Sequence, residues 1–277
     1  MSESLATYKE YFDKISPLYD EGREHFFHND LKRFERDIAL FISPVLDARA
    51  RILDLGCGTG FYTMGLAQNG FRRFFCLDLN DTFLEHVRDK LIAHSAEVEV
   101  ECQKADLETF VRRRSVGPAL NVDFIVIGSV LQYIGNYETL LEQLSELAPG
   151  AGFYITSHKL SVKRRLPLLE DSLARLDYII HRLIRGNWRK KRALGTVVTG
   201  TVSEEVLLDL FRRNGFKVVF LTYTTFHTHF FTALHKFLAG RISGLGSYFT
   251  LIALRSEDGA NGATSDRGVD PVDNSSR

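Results

Sequence analysis

The sequence predicts an α/β protein in which an open, mostly parallel sheet carries helices on both faces. Short apolar runs alternate along the chain with segments of helical periodicity, which is the pattern of that class. One run, residues 52–55, ends in a loop with glycine at positions 56, 58 and 60 and then opens a helix. The chain has 277 residues, long enough for one well-buried domain of this kind with additions.

Composition is that of an ordinary globular protein, with 44% hydrophobic and 25% charged residues. Lysine plus arginine equals aspartate plus glutamate at 35 each, so no global field points to nucleic acid. Cys57, Cys76 and Cys102 have no metal-ligand spacing and are predicted to be small buried hydrophobes in a reducing compartment. The first ten residues carry acids and no apolar core, and no run approaches roughly 18 apolar residues. We therefore expect a cytoplasmic protein.

The predicted elements follow one another in a regular βα order. A helix is predicted at 31–46 with one apolar face, and later helices at 61–69, 81–91, 107–113, 137–147 and 203–214. Strands are predicted at 52–55, 73–77, 98–102, 122–127, 152–156, 217–222 and 247–254. Domain bounds follow from this order: an N-terminal helical cap at 1–46, a core domain at 47–255 and a disordered tail at 256–277.

The glycine loop does not fit the dinucleotide fingerprint G-x-G-x-x-G, because Phe61 stands where the third glycine would be. It fits acid-x-G-x-G-x-G instead, with Asp54 as the acid. This longer motif closely resembles the first motif of the Rossmann-like S-adenosylmethionine-dependent methyltransferases. NAD(P) or another nucleotide is the alternative ligand.

The resemblance implies a seven-stranded methyltransferase sheet with helices on both faces and helical lid insertions, and S-adenosylmethionine as cofactor. It implies that the loop cradles the methionine end of the cofactor and that Asp54 orients its amino group, often through water. The loop residues in this role are Gly56, Cys57, Gly58 and Gly60.

Residues 11–20 resemble the opening of the ubiquinone and menaquinone methyltransferases, where a tyrosine matching Tyr19 lies near the methionine carboxylate. The alternative is an amphipathic N-terminal helix that packs on the sheet.

Two further acids follow predicted strands. Asp78, followed by Leu79, ends the second strand about 20 residues beyond the glycines, where a carboxylate can accept from both ribose hydroxyls. In the family, Asp106 would face the adenine amino group, with the Leu107 amide near a ring nitrogen. The alternatives are that Asp78 or Asp106 simply caps the helix that follows.

The fourth strand continues into residues 128–134, where methyltransferases place groups beside the reactive sulfonium. Enzymes that methylate amino groups of adenine or glutamine carry an (N/D)-P-P-(Y/F) tetrad here, but this chain has Gly128-Ser129-Val130-Leu131. The difference favours the small-molecule branch, with Ser129 near the cofactor. If the acceptor is a hydroxyl, a general base is needed, and His158, His227 and Tyr133 are the candidates.

Two long insertions, 159–202 and 224–246, are predicted to leave the ligand edge of the sheet. Residues 159–192 hold eleven Lys/Arg and three acids. Three interpretations compete: a lid over an acidic or phosphorylated substrate, peripheral contact with an anionic membrane, or a solvated face.

The predicted function is methyl transfer to a small molecule, with acidic, phosphorylated and lipid-like substrates left open. One alternative is a regulatory module that binds the cofactor without methyl transfer. Another is alkyl transfer such as aminopropyl transfer, which the basic insertion disfavours. The oligomeric state stays open.

Overall fold

The computed structural model describes residues 32–114, 117–158, 202–224 and 248–256. Residues 32–42 form helix α1, whose last five residues, Ile38–Ile42, are π-helical. The later helices are α2 (Phe61–Gln68), α3 (Asp81–His94), α4 (Leu107–Arg114), α5 (Tyr137–Leu147) and α6 (Glu204–Arg213). The strands are β1 (Arg51–Leu55), β2 (Arg73–Asp78), β3 (Glu99–Lys104), β4 (Phe124–Gly128), β5 (Gly152–His158), β6 (Phe216–Thr224) and β7 (Tyr248–Arg255).

The seven strands form one sheet in the order β3-β2-β1-β4-β5-β7-β6. The first five are parallel, and β7 runs antiparallel between β5 and β6. From β1 the chain moves outward to β2 and β3, then returns to place β4 on the other side of β1. The strand order therefore reverses between β1 and β4, and ligands of open α/β sheets bind at the carboxyl ends of strands at such a point.

Burial explains which sequences occupy which strands. β4 is buried at four of its five residues and reads as a continuous apolar run, as a strand covered on both faces must. β3 lies at the sheet edge and alternates exposed charged residues with partly buried ones. Charged side chains on an edge strand also discourage pairing with other chains.

Each face of the sheet carries its own apolar core. On one face α1, α2 and α3 pack through residues such as Phe34, Leu66 and Val87. On the other face α4, α5 and α6 pack through residues such as Phe110, Leu144 and Phe211. The predicted α/β class with helices on both faces is confirmed, and so is the antiparallel pair of strands at the end of the fold.

The predicted helix at 31–46 was too long. The helix ends at Ile42, and residues 43–45 form a turn. Pro44 gives the physical reason, because proline has no backbone N–H to continue the ladder of hydrogen bonds. Strand ends moved by one or two residues, with β3 shifted to Glu99–Lys104. Within the described ranges, no helix combines the length and apolar character needed to cross a membrane.

Three predicted segments lie outside the described residues. They are the N-terminal cap before residue 32, nearly all of both insertions, and the tail after residue 256.

Candidate functional site

The glycine loop joins β1 to α2 at the point where the strand order reverses. Gly56, Gly58 and Gly60 all have positive φ, at 70°, 53° and 85°, a region that side chains with a Cβ rarely adopt. The amides of Gly56 and Cys57 both donate to the Leu77 carbonyl, at 2.8 and 2.9 Å. The loop is therefore anchored to the end of β2.

The three glycines meet different surroundings. A Cβ on Gly56 would lie 2.5 Å from Val130 Cγ2, and one on Gly60 would lie 2.9 Å from Val87 Cγ2. At these two positions neighbouring side chains exclude anything larger. Among the described residues, no atom lies within 4 Å of a Cβ placed on Gly58. The backbone at Gly58 thus borders open space, and a ligand there can approach the backbone closely.

Asp54 is a buried carboxylate at the end of β1, with 1% of its surface exposed. Its Oδ2 accepts from the Thr63 hydroxyl at 2.5 Å, while Oδ1 is buried and has no hydrogen-bond partner among the described residues. Burial raises the pKa of Asp54 to about 7, the Thr63 hydrogen bond opposes that rise, and the charge of Asp78 adds to it. An unpaired buried oxygen is costly unless a ligand supplies a donor.

Asp78 links the glycine loop to the start of α3. Its Oδ2 accepts from the Gly58 amide at 2.9 Å, and its Oδ1 accepts from the Asn80 amide at 3.0 Å. Burial raises its pKa, and the bonds from Asn80, Gly58 and Leu79 amides oppose the rise. A carboxylate offers about four lone-pair sites, so each oxygen can still accept from a ribose hydroxyl. The cap of α3 is Asn80, whose side chain accepts from the Phe83 amide.

Asp106 caps α4, as the alternative interpretation anticipated. Its Oδ2 accepts from the Thr109 amide at 2.9 Å. Leu107, the first residue of α4, is buried in the core on that face of the sheet. The cap uses one carboxylate oxygen, so the role of Asp106 toward adenine stays a prediction.

Three hydroxyl groups meet where β4 ends beside the glycine loop, and they come from α2, from the residue after β4 and from β5. Ser129 has φ 58°, and its amide donates to the Thr156 carbonyl at 2.8 Å. Thr156 Oγ1 lies 2.9 Å from the Tyr62 hydroxyl and 3.5 Å from Ser129 Oγ. These three hydroxyls form a connected group at the ends of β4 and β5.

The structure describes two of the three candidate bases. Tyr133 ends a short 3-10 helix, Leu131–Tyr133, that follows β4, and His158 is the last residue of β5. Both backbones therefore stand at the ligand edge of the sheet. His227 and the predicted cofactor residue Tyr19 lie outside the described residues.

Sequence reasoning missed four residues of this region: Tyr62, Gln132, Thr156 and Lys90. A Cβ on Gly128 would fall 1.9 Å from the Tyr62 ring, so glycine at the end of β4 makes room for that ring. A glycine closing an otherwise apolar strand was the one signal of this contact in the sequence. Lys90, on α3, donates to the Thr59 carbonyl at 2.9 Å and so links the glycine loop to α3.

The prediction that the cysteines are buried holds for two of the three. Cys57 and Cys76 are buried in the core on the α2 side of the sheet, and Cys102 is partly buried against it.

The residues present fit S-adenosylmethionine. Within the described part of the chain, Asp54 offers a buried, unpaired oxygen for a cationic amino group, and Gly58 borders open space just before a helix. Asp78 stands at the end of the neighbouring strand, where a ribose can be held.

Comparison with known proteins supports the same assignment. A family model described as a methyltransferase domain matches residues 26–221. The chain belongs to this methyltransferase family. S-adenosylmethionine, the cofactor predicted from the glycine loop, is accordingly the cofactor of the domain.

Two curated relatives match about half of this chain, over part of their own length. The trans-aconitate 2-methyltransferase of Azoarcus sp. (strain BH72) is 32% identical over 136 residues, 48% of this chain and 48% of that protein. The biotin biosynthesis bifunctional protein BioHC of Cellvibrio japonicus (strain Ueda107) is 31% identical over 159 residues, 56% of this chain and 29% of that protein. The chain thus spans less than half the length of either relative.

Among solved structures, magnesium protoporphyrin IX methyltransferase from Synechocystis PCC 6803 with bound SAH has a TM-score of 0.58 and 16% identity. The match covers 92% of this chain and 100% of that one. At this identity the likeness shows the fold, and the predicted Rossmann-like methyltransferase sheet is confirmed. The ubiquinone branch stays a prediction.

Proposed function

We propose that this domain transfers a methyl group from S-adenosylmethionine to a small acidic molecule. The observation that carries the proposal is the adjacency of two groups of residues. The glycine loop with Asp54 is suited to the cofactor, and the hydroxyls of Tyr62, Thr156 and Ser129 lie at the next strand ends. The loop and the β4 end are in contact through Gly56 and Val130.

Bound S-adenosylmethionine would supply a methyl group on a sulfonium, so that an acceptor atom bonds to the methyl carbon in line as the carbon–sulfur bond breaks and S-adenosylhomocysteine leaves. The protein's own part is to bind, align and exclude water. Hydroxyl groups can donate hydrogen bonds to the oxygens of an acceptor, and three connected hydroxyls can reorient to suit it. They are therefore suited to hold an oxygen-rich acceptor without adding a competing negative charge.

Two observations support an acidic acceptor. Residues 159–192 carry an excess of eight positive charges in a chain with no net charge, and they follow directly after β5. One relative is named for methylation of trans-aconitate, a small organic acid. A carboxylate is already ionised at neutral pH, so its oxygen can accept a methyl group without a general base. A hydroxyl acceptor would instead need a base, and Tyr133 and His158 are the candidates.

The direct test is methyl transfer from methyl-labelled S-adenosylmethionine to a panel of small acceptors. The panel holds di- and tricarboxylic acids, phosphorylated sugars, and fatty acids in detergent, each beside its neutral amide or alcohol. We expect label in a carboxylic acid and its release as methanol on mild alkali, which cleaves a methyl ester but not an ether or an amine. Label confined to neutral acceptors would contradict the acidic substrate. Phosphorylated or lipid products would redirect the proposal to those classes.

A variant of the basic segment tests whether its charges help to bind the acidic acceptor. Replacement of Arg189, Lys190, Lys191 and Arg192 by serine should raise the KM for the acidic acceptor at low salt and leave S-adenosylhomocysteine affinity unchanged. Because exposed charges are screened within about 8 Å at physiological salt, the difference from wild type should shrink as salt rises. Unchanged KM at all salt concentrations, together with unchanged sedimentation with anionic vesicles, would identify the run as a solvated face.

A further inference from the structure

Ser129 holds an unfavourable backbone conformation at the edge of the site. Its φ of 58° is the only positive value at a non-glycine residue within the described ranges. An L-residue with a Cβ adopts this left-handed region at a cost, and it persists only where neighbouring groups fix it. Two hydrogen bonds hold it here: the Ser129 amide donates to the Thr156 carbonyl, and the Ser129 carbonyl accepts from the Gln132 side chain.

The Gln132 side chain bridges two strand ends. Its Nε2 donates to the Ser129 carbonyl at 2.7 Å, and its Oε1 accepts from the Ser157 hydroxyl at 3.0 Å. The carbonyl can only accept, so the amide nitrogen must face Ser129 and its orientation is fixed by chemistry. Gln132 is 3% exposed and Ser157 is fully buried, so losing either bond would leave polar atoms unpaired away from water.

The conformation of Ser129 decides where the next residue lies. Val130 follows it directly, and its Cγ2 lies where a Cβ on Gly56 would come within 2.5 Å. Val130 thus closes against the backbone of the first glycine of the loop. If Ser129 relaxed to an ordinary φ, the chain direction would change and Val130 would leave this position.

We propose that Gln132 is a positioning residue for the cofactor loop. It acts through Ser129 and Val130 on Gly56, and it is itself oriented by Ser157 at the end of β5. The inference rests on the cofactor role of the glycine loop. It adds that a buried amide outside the loop and outside its motif determines how well the loop binds the cofactor.

A purely structural role for Gln132 would affect folding and leave ligand affinity alone. The two roles are separable at Ser129, since glycine adopts φ 58° without strain and has no need of a clamp. The substitution Gln132→Leu, close in volume, removes both hydrogen bonds. We therefore compare Gln132→Leu in the wild-type background with the same change in a Ser129→Gly background.

The measurement is the Kd of S-adenosylhomocysteine by calorimetry, with the melting temperature recorded for each variant. Residues in one hydrogen-bond network are coupled by a factor of several-fold or more. We therefore expect Gln132→Leu to weaken binding about tenfold when Ser129 is present. In the Ser129→Gly background, whose backbone is freer, the same change should weaken binding about twofold or less.

An equal loss of affinity in both backgrounds, or none in the wild-type background, would overturn the proposal. A wild-type protein that does not bind S-adenosylhomocysteine would instead refute the cofactor role on which it rests.

A gentler pair of variants keeps the test decisive if Gln132→Leu does not fold. Ser157→Ala removes only the donor that orients Gln132. Ser145→Ala is its matched control, because Ser145 is also a buried hydroxyl, donating to the Leu141 carbonyl at 2.8 Å within α5. We expect weaker S-adenosylhomocysteine binding for Ser157→Ala alone. Equal affinities for the two variants would overturn the proposal.

Discussion

The Thr63 hydroxyl donates to one oxygen of Asp54 at 2.5 Å and leaves the other oxygen of that carboxylate for a ligand. Thr63 comes from the first turn of α2, and Asp54 comes from β1. The hydrogen bond fixes the carboxylate plane, so the open oxygen has one defined direction. A buried carboxylate held in this way is suited to a cationic partner.

The first prediction is that binding of S-adenosylhomocysteine releases a proton from Asp54. Burial raises the pKa of Asp54 to about 7, so below that pH the ligand-free carboxyl holds a proton. A cationic amino group beside it favours the charged form and lowers the pKa, so binding releases a proton. Affinity for S-adenosylhomocysteine should therefore rise with pH and level off above about 7. Calorimetry below pH 7, in buffers of different ionisation enthalpy, counts the protons released.

Asp54→Asn is the control for this titration. It should bind S-adenosylhomocysteine more weakly and release no proton. Proton release from the variant equal to that of wild type would place the titrating group elsewhere.

The same raised pKa predicts how ligand-free stability depends on pH. The ordinary pKa of an aspartate in an unfolded chain is about 3.9. Between that value and about 7 the folded state holds a proton that the unfolded state has lost. The Asp54 contribution to the free energy of unfolding therefore falls as pH rises through this window. Denaturant titrations should show a smaller fall for Asp54→Asn, and an identical pH profile for both proteins would contradict the assignment.

A further prediction concerns the fit of Tyr62 beside Gly128. Gly128→Ala places a Cβ 1.9 Å from the Tyr62 ring, so either the ring or the end of β4 must move. Overpacking of this kind costs roughly 1–3 kcal/mol of stability. The cost should be smaller in a Tyr62→Leu background, where the ring is gone. Urea unfolding of wild type, the two single variants and the double variant measures this, and additive losses would show that Gly128 and Tyr62 are not coupled.

Lys90 supports the loop from α3, and its replacement should weaken cofactor binding. Its ammonium donates to the Thr59 carbonyl, and hydrogen bonds from charged groups contribute about 1.5–3 kcal/mol when well buried. Lys90 is only partly buried, so we expect Lys90→Met to weaken S-adenosylhomocysteine binding by less than about tenfold. Lys217→Met is the control, since Lys217 is exposed on β6, at the far edge of the sheet. Equal affinities for Lys90→Met and Lys217→Met would show that Lys90 does not support the glycine loop.

The sequence was sufficient for the fold and for the backbone of the site. Apolar runs and caps such as Asn80 and Ser203 depend on residues near in sequence, and their effect is local. The glycine loop is recognisable for the same reason. The contacts that support it are not local, for the Tyr62 hydroxyl and its partner Thr156 are 94 residues apart. Such contacts depend on how packed elements meet, and no spacing rule in the sequence encodes them.

The glycine loop is the centre of the cofactor site, and Gly58 tests this most directly. Gly58 and Gly70 both have positive φ, at 53° and 97°, and among the described residues no atom lies within 4 Å of a Cβ added at either, so alanine strains the backbone at both positions without a clash. Only Gly58 lies in the loop. Because a Cβ there would keep the ligand away from the backbone, we expect Gly58→Ala to weaken S-adenosylhomocysteine binding by about tenfold or more, a loss of at least ~1.4 kcal/mol. Gly70→Ala should bind as wild type does. Equal affinities for the two variants, or a wild-type protein that binds NADH and not S-adenosylhomocysteine, would contradict this assignment.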